Sequence, residues 1–237
     1  MSKRAIAIIG AGGFGREVAE YIEDINRDKP TWEHIGFIDD DEGLSGKILE
    51  GIPVWGTTES IHQQIKEKQF FEIISKSGDI ISLWPTDVDV ICAISKPKVK
   101  KQSIERIESL GFTFTNIIHP TAHIGKHVQL GQGVIIAPGC IITKNVSIGN
   151  HVSINPQCGI GHDVNIDDYT TFYWNVNISG NVQVGTMCEL GTKATILQGL
   201  SIGDGSIIGA NAVVTKSITD NVVAAGVPAK FLRNNTI

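Results

Sequence analysis

The stretch "INPQCGIGHDVNIDDYTTFYWNVNISGNVQV", residues 154–184, decides the fold. Ile154, Ile160, Ile166, Phe172, Ile178 and Val184 recur at every sixth position. Four residues after the first five of them stand Cys158, Val164, Thr170, Val176 and Val182, all small or β-branched. Followed outward, the first register runs without a gap from Ile118 to Val214, and glycine often comes next, as at Gly125, Gly149, Gly161 and Gly185. A period of six belongs neither to a helix, at about 3.6, nor to an open strand, at about 2. It is the hexapeptide repeat of a parallel β-helix, with one short strand and one turn per hexad and three hexads to a coil. A residue therefore stacks on the one eighteen places on, about 4.8 Å away, the ordinary strand spacing.

That arithmetic locates an irregularity. His162 and Asp163 occupy the third and fourth places of their hexad, at a corner where side chains turn outward, so the pair projects from the coil edge and does not interrupt the core. His162 stacks between Lys144 and Gly180. Imidazole titrates at about pH 6.5 and is suited to take a proton near neutrality. Asp163 is the candidate to fix its tautomer, and Gly180 offers a bare backbone N–H to a developing oxyanion. Stacked histidines could also hold zinc, but the places two coils before His162 and five residues after it are Lys126 and Asp167. His119, His123, His127 and His151 fall at different azimuths, and no metal site is expected. These four read as surface or interface residues.

The chain has 237 residues, enough for one large or two modest domains, with 41% hydrophobic residues and a net charge of −5. That balance argues against nucleic acid as a partner. No apolar run approaches the ~18 residues of a membrane span, and the short one after Met1 dissolves into glycines, which reads as a buried strand in a cytoplasmic protein. Cys92, Cys140, Cys158 and Cys188 lack CxxC pairing and read as buried thiols.

The first half has another grammar. "RAIAIIGAGGFGREVAEYIEDI" is strand, glycine turn and helix, with Gly10, Gly12 and Gly15 in GxGxxG spacing, and "HIGFIDDDE" is a second strand ending in acids. Glycines at such a turn let a phosphate approach the backbone at a helix N-terminus. "DVDVICAI" and "KPKVKKQSIERIESLG" add a strand and a helix. Residues 1–117 are expected to form a small Rossmann-like α/β domain with a parallel sheet, and residues 118–237 the coil and its C-terminal cap. The α/β part is too short for the full six-stranded dinucleotide fold, and three acids, Asp39 to Asp41, exceed what one ribose requires, so NAD is not the expected ligand. Residues 70–89 read as a hairpin or an insertion beside the sheet and carry no functional reading.

The coil resembles the left-handed β-helix of the hexapeptide acyltransferase superfamily. Together, "IIGAGGFGREVAEYI", "GFIDDDEG", "GIPVWGTTESI", "NIIHPTAHIG", "GHDV" and "VVAAGVPAKFLR" resemble the nucleotide-sugar acetyltransferases of the PglD/NeuD type over nearly the whole chain. The resemblance implies an α/β domain ahead of a left-handed parallel β-helix, and a homotrimer with sites between subunits. It implies acetyl-CoA as cosubstrate and transfer of acetyl to the amino group of a UDP-linked 4-amino-4,6-dideoxy sugar. Sialic-acid-type O-acetylation is an alternative, and a non-catalytic nucleotide-binding assembly protein is another. By the same resemblance His162 is the catalytic base, Asp163 its acidic neighbour, commonly Glu in relatives, and Asn155 lines the pocket. Gly10, Gly12 and Gly13 match the nucleotide-sugar loop, and Asp39 and Asp40 the acids facing the nucleotide. Thr171 stands where some relatives carry a histidine that touches acetyl-CoA. Lys230, in "AGVPAKFL", reads as a CoA phosphate contact, as part of a proline-stiffened cap, or as both.

Overall fold

A computed structural model describes residues 4–236, which divide into two compact units: the chain up to Ile94 with Val99–Thr115, and Ser95–Lys98 with the chain from Asn116 onward.

The first unit is built on β1 (Arg4–Ile9), α1 (Gly13–Asp28), β2 (Trp32–Ile38), β3 (Ile48–Leu49), β4 (Ile52–Gly56), α2 (Thr58–Lys68), β5 (Phe71–Ile74), β6 (Ile80–Leu83), β7 (Val88–Cys92), α3 (Pro97–Glu108) and β8 (Thr113–Phe114). The main sheet has the order β3-β4-β2-β1-β7-β8, parallel except for the β3–β4 pair. It thus holds six strands where the chain length argued for fewer, because β3 and β8 are only two residues each. Its central strand β1 is apolar on both faces, as a strand covered on both sides must be, with Ile6, Ala7 and Ile8 fully buried. Helix α1 buries Gly15, Val18, Ala19 and Ile22 at helical spacing. Complete burial of Val18 and Ile22 contributes about 1.5–3 kcal/mol each. Of the two readings of residues 70–89, the hairpin forms: β5 and β6 pair antiparallel in a two-stranded sheet of their own.

The second unit is the coil. Seventeen two-residue strands, β9 (Ile117–Ile118) through β25 (Val213–Val214), fall into three parallel sheets in which every third strand pairs. Ile118, Ile136, Ile154, Phe172, Leu190 and Ile208 form one inward column, matching the predicted stacking. The second register fills the gaps between columns: Cys140, Val152, Val176, Val182 and Ala194 are all fully buried. From His127 to Asn211 each turn passes through a residue in the left-handed region, among them Asn145 (φ 56°), Asp163 (φ 58°) and Asn181 (φ 58°). Asn and Asp tolerate that conformation better than most L-residues. From Asn145 onward the amide of each such corner residue donates to a carbonyl one coil earlier, as Asp163 N does to Lys144 O at 3.0 Å. At the far end β26 (Val222–Ala225) joins the first sheet and β27 (Lys230–Asn234) pairs with it antiparallel.

Two of the four histidines expected at the surface are not there. His119 is buried, its Nδ1 2.8 Å from Thr121 Oγ1. His151 is buried because Gly133, one coil earlier, has no side chain to occupy the space its ring takes, and the ring stacks on Tyr169 with centroids 5.5 Å apart. His123 and His127 are exposed. All four cysteines are buried and unbonded to one another. Burial raises Cys92 to about 11 and Cys188 to about 12.

Candidate functional site

At the coil corner the imidazole of His162 is 60% exposed and its Nδ1 lies 2.7 Å from Asp163 Oδ2. The left-handed backbone of Asp163 turns its short side chain back along the corner, so Asp reaches the ring without the extra methylene of a Glu. Hydrogen bonds from Asn145 and then from His162 hold the Asp163 carboxyl below the usual carboxylate range. An ionised carboxylate only accepts, so Nδ1 carries the proton and, in the neutral ring, Nε2 keeps its lone pair. The ring lies on Gly180: a Cβ added there would come within 2.6 Å of both Nε2 and Cε1. The Gly180 backbone carbonyl accepts from Gly199, and among the described residues its own N–H donates to no group. His162, Asp163 and Gly180 therefore meet on one corner, the stacking that the eighteen-residue coil predicts.

The remaining coil residues divide. Asn155 is not on this corner. It is buried, its Nδ2 donates to Phe172 O at 2.7 Å, and its carbonyl accepts from Cys140 Sγ at 3.1 Å. Thr171 is buried and donates to Ser95 O at 2.8 Å. Lys230 is exposed at the start of β27. Sequence reasoning missed Asn145, whose Nδ2 donates to Asp163 Oδ1 at 3.0 Å. The signal was present, since Asn145 and Asp163 are 18 apart. Among the described residues no group of three or more His, Cys, Asp or Glu side chains is placed to hold a metal ion.

In the α/β unit the glycine loop sorts into two kinds of glycine. Gly10 has φ 97° and makes the turn, and Gly15 must be bare because a Cβ there would lie 1.9 Å from Gly10 O. Gly12 and Gly13 have neither reason. A Cβ at either meets nothing within 4 Å, Gly12 has an ordinary φ of −68°, and both are exposed. Gly12 caps α1 without a side-chain hydrogen bond, and the first helical turn carries no acid. The first N–H groups of a helix have no partner within it and can receive a phosphate, which the bare and exposed Gly12 and Gly13 leave room to approach.

The two acids after β2 tie separate segments together, and the first of them holds the loop. Asp39 Oδ2 accepts from Ala11 N at 2.7 Å and Oδ1 from Asp41 N at 2.9 Å, tying the glycine turn to the end of β2. Asp40 accepts from Thr58 N at 2.9 Å and from Arg106 Nη1 at 2.8 Å. Partial burial raises its carboxyl, but the bonds from Thr58 and Arg106 outweigh that and hold it below the usual range. Both oxygens of Asp40 thus have partners within the unit.

Comparison with known proteins adds three similarities over nearly the full chain. WeeI from Acinetobacter baumannii AYE is 30% identical, with a TM-score of 0.80 over 96% of this chain and 99% of that one. PerB from Caulobacter crescentus, in complex with CoA and GDP-perosamine, is 26% identical, with a TM-score of 0.80 over 97% of each. The acetyltransferase domain of PglB from Neisseria gonorrhoeae FA1090, in complex with acetyl coenzyme A, is 28% identical, with a TM-score of 0.72 over 98% of this chain and 100% of that one. The family model of the PglD N-terminal domain matches residues 5–74. Curated relatives are matched over about a quarter of their own length, 28% and 26% for two O-acetyltransferases.

Proposed function

The chain belongs to the nucleotide-sugar acetyltransferases of the PglD type, and from that premise we propose that it transfers acetyl from acetyl-CoA to the amino group of a nucleotide-linked 4-amino-4,6-dideoxy sugar. The observation that carries this reading is the seat of the His162 ring on Gly180 beside an ionised Asp163.

In the proposed step the sugar nitrogen attacks the thioester carbonyl carbon. His162 Nε2 takes the proton released as the C–N bond forms. The Asp163 carboxylate accepts from Nδ1–H and stabilises the imidazolium. The Gly180 N–H donates to the carbonyl oxygen as it gains negative charge. The C–S bond then breaks, and the proton on Nε2 passes to the departing sulfur of CoA. No group on the enzyme is acylated, and Cys158, buried in the coil with its thiol donating to Tyr173 O, has no part in the reaction.

The nucleotide's phosphates are assigned to the amides at the start of α1, in the space that Gly12 and Gly13 leave open. Asp39 is assigned to the same loop, as the group that fixes its shape. Asp40 is assigned to face the nucleotide as well, since Thr58 and Arg106 each take one site on its carboxylate and leave a lone pair on either oxygen of a half-exposed side chain. Lys230 is assigned to a CoA phosphate. The reading includes a homotrimer with sites between subunits, measurable by light scattering as three times the chain mass.

N-acetylation is preferred to O-acetylation because the likeness to a perosamine N-acetyltransferase from Caulobacter crescentus extends over 97% of the chain, whereas the two O-acetyltransferases match less than a quarter of it. The test is an acetyl-CoA consumption assay over UDP-, dTDP- and GDP-linked 4-amino sugars and their 4-hydroxy counterparts. Turnover with an amino member, reduced about 10²–10⁴-fold in His162→Ala, is the expected result. Turnover with hydroxy sugars alone moves the reading to O-acetylation, and an inert wild-type protein across the panel overturns it.

A further inference from the structure

We infer that Asn145 is a positioning residue for the reaction: from one coil away it clamps the Asp163 carboxylate and thereby sets the orientation and tautomer of His162. This rests on the assignment of His162 as base. The geometry is a relay of two short bonds, Asn145 Nδ2 to Asp163 Oδ1 at 3.0 Å and Asp163 Oδ2 to His162 Nδ1 at 2.7 Å. The two bonds engage different oxygens. One bond alone leaves a carboxylate free to swing about its own axis, whereas two opposed bonds fix its plane. The clamp matters here because little else restrains the pair: the Asp163 side chain is 45% exposed and the His162 ring 60% exposed. The backbone beneath them is fixed, since Asn145 N donates to Lys126 O, Asp163 N to Lys144 O and Asn181 N to His162 O.

Other aspartates of the coil are held first by the backbone. Asp168, Asp204 and Asp220 each accept from a backbone amide one coil earlier, those of Asn150, Thr186 and Asp204 respectively. They cap the coil. Asp168 also accepts from the Asn150 side-chain amide, at 3.3 Å, but beside that backbone bond. Asp163 caps no backbone amide among the described residues, and its two oxygens go to a side-chain amide and an imidazole. The order of influences on its carboxyl agrees, with the Asn145 bond ahead of the His162 bond. The corner does not itself require an amide at this place. Its left-handed backbone is met equally by Gly199 in the same column, with φ 72°. The side chain of Asn145 thus serves the carboxylate and not the turn.

Asn145→Gly and Asn145→Asp separate these roles. The first keeps the left-handed corner and removes the donor. The second keeps shape and backbone preference and replaces the donor with an anion facing Asp163. Each is compared with wild type and His162→Ala in the acetyl-transfer assay, and by nitrogen NMR of the His162 ring in the ligand-free protein. Asn145→Gly is expected to lower kcat about threefold to tenfold, the factor one hydrogen bond makes. The KM values should stay within about twofold, and the ring should move from a single Nδ1–H tautomer to a mixture. Asn145→Asp should lower kcat further. An unchanged tautomer in both variants overturns the inference, as does an unchanged kcat in Asn145→Asp when His162→Ala is inactive. If His162→Ala stays active, the base assignment fails instead, and the ring spectrum of the ligand-free protein still decides whether Asn145 governs the tautomer.

Discussion

His162 rests on Gly180 because eighteen residues close one coil, whereas Asp39 reaches Ala11 across 28 residues that no period connects. The two regions assemble their sites by different rules. In the coil a side chain's neighbours are the places one coil before and after it, so a functional group is built from a vertical stack. In the α/β unit the glycine loop, the end of β2, the start of α2 and Arg106 of α3 are joined by side-chain bonds running between distant segments. A substitution in the coil should therefore have local, predictable consequences. One in the α/β unit should be felt wherever its bonds lead.

The largest test of this contrast is in the coil core. Phe172 is fully buried, and Phe172→Ala should cost about 3–5 kcal/mol, read as a fall in the urea midpoint. A loss under 1 kcal/mol would mean that the coil is looser than its columns imply. Gly180→Ala comes next. Its methyl would stand 2.6 Å from the imidazole, so the ring must leave its seat, and acetyl transfer should fall about 10²-fold with little change in melting temperature. Full activity would show that the stack does not position the base.

In the glycine loop the same chemical change should give opposite results at neighbouring sites. Gly15→Ala drives a methyl into Gly10 O and should destabilise the protein by about 1–3 kcal/mol. Gly12→Ala meets nothing within 4 Å and should leave stability within about 0.5 kcal/mol, while abolishing the thermal shift produced by nucleotide sugar. Equal stability losses would remove the distinction between packing glycines and approach glycines. The smallest effect belongs to Asp40. Its carboxyl is held low in the folded protein, so its contribution is present at neutral pH and is lost as pH falls below about 4, through the folded value. Because Asp40 and Arg106 are both about half exposed, Arg106→Ala should cost no more than about 0.5 kcal/mol at pH 7, and that difference should vanish near pH 2.

The same contrast explains what could be read from residues alone. The period gave the coil, the inward cysteines and the meeting of His162 with Gly180, because stacking converts sequence distance into spatial distance. It contains Asn145 as well, because Asn145 stands eighteen places before Asp163, but the pairing shows only when the count is taken from the carboxylate and not from the histidine. His151 was misjudged because a corner position normally faces outward, and only the empty place at Gly133 lets its ring fold in. The contacts of Asp40 with Thr58 and Arg106 could not be read at all. Nothing in the spacing of Asp40, Thr58 and Arg106 announces that they bond, because that contact depends on how two helices pack against the end of a strand. The hairpin at residues 70–89 stayed ambiguous for a similar reason, since its strands pair only with each other.

The coil's uniform corners have an evolutionary consequence. Since every turn of a given column presents nearly the same backbone, a reactive pair has no unique address. A histidine and an aspartate transplanted eighteen places along, with a glycine above and an amide donor below, would meet the same surroundings. New substrates could thus be met by sliding the chemistry up or down the shaft while the scaffold stays as it is.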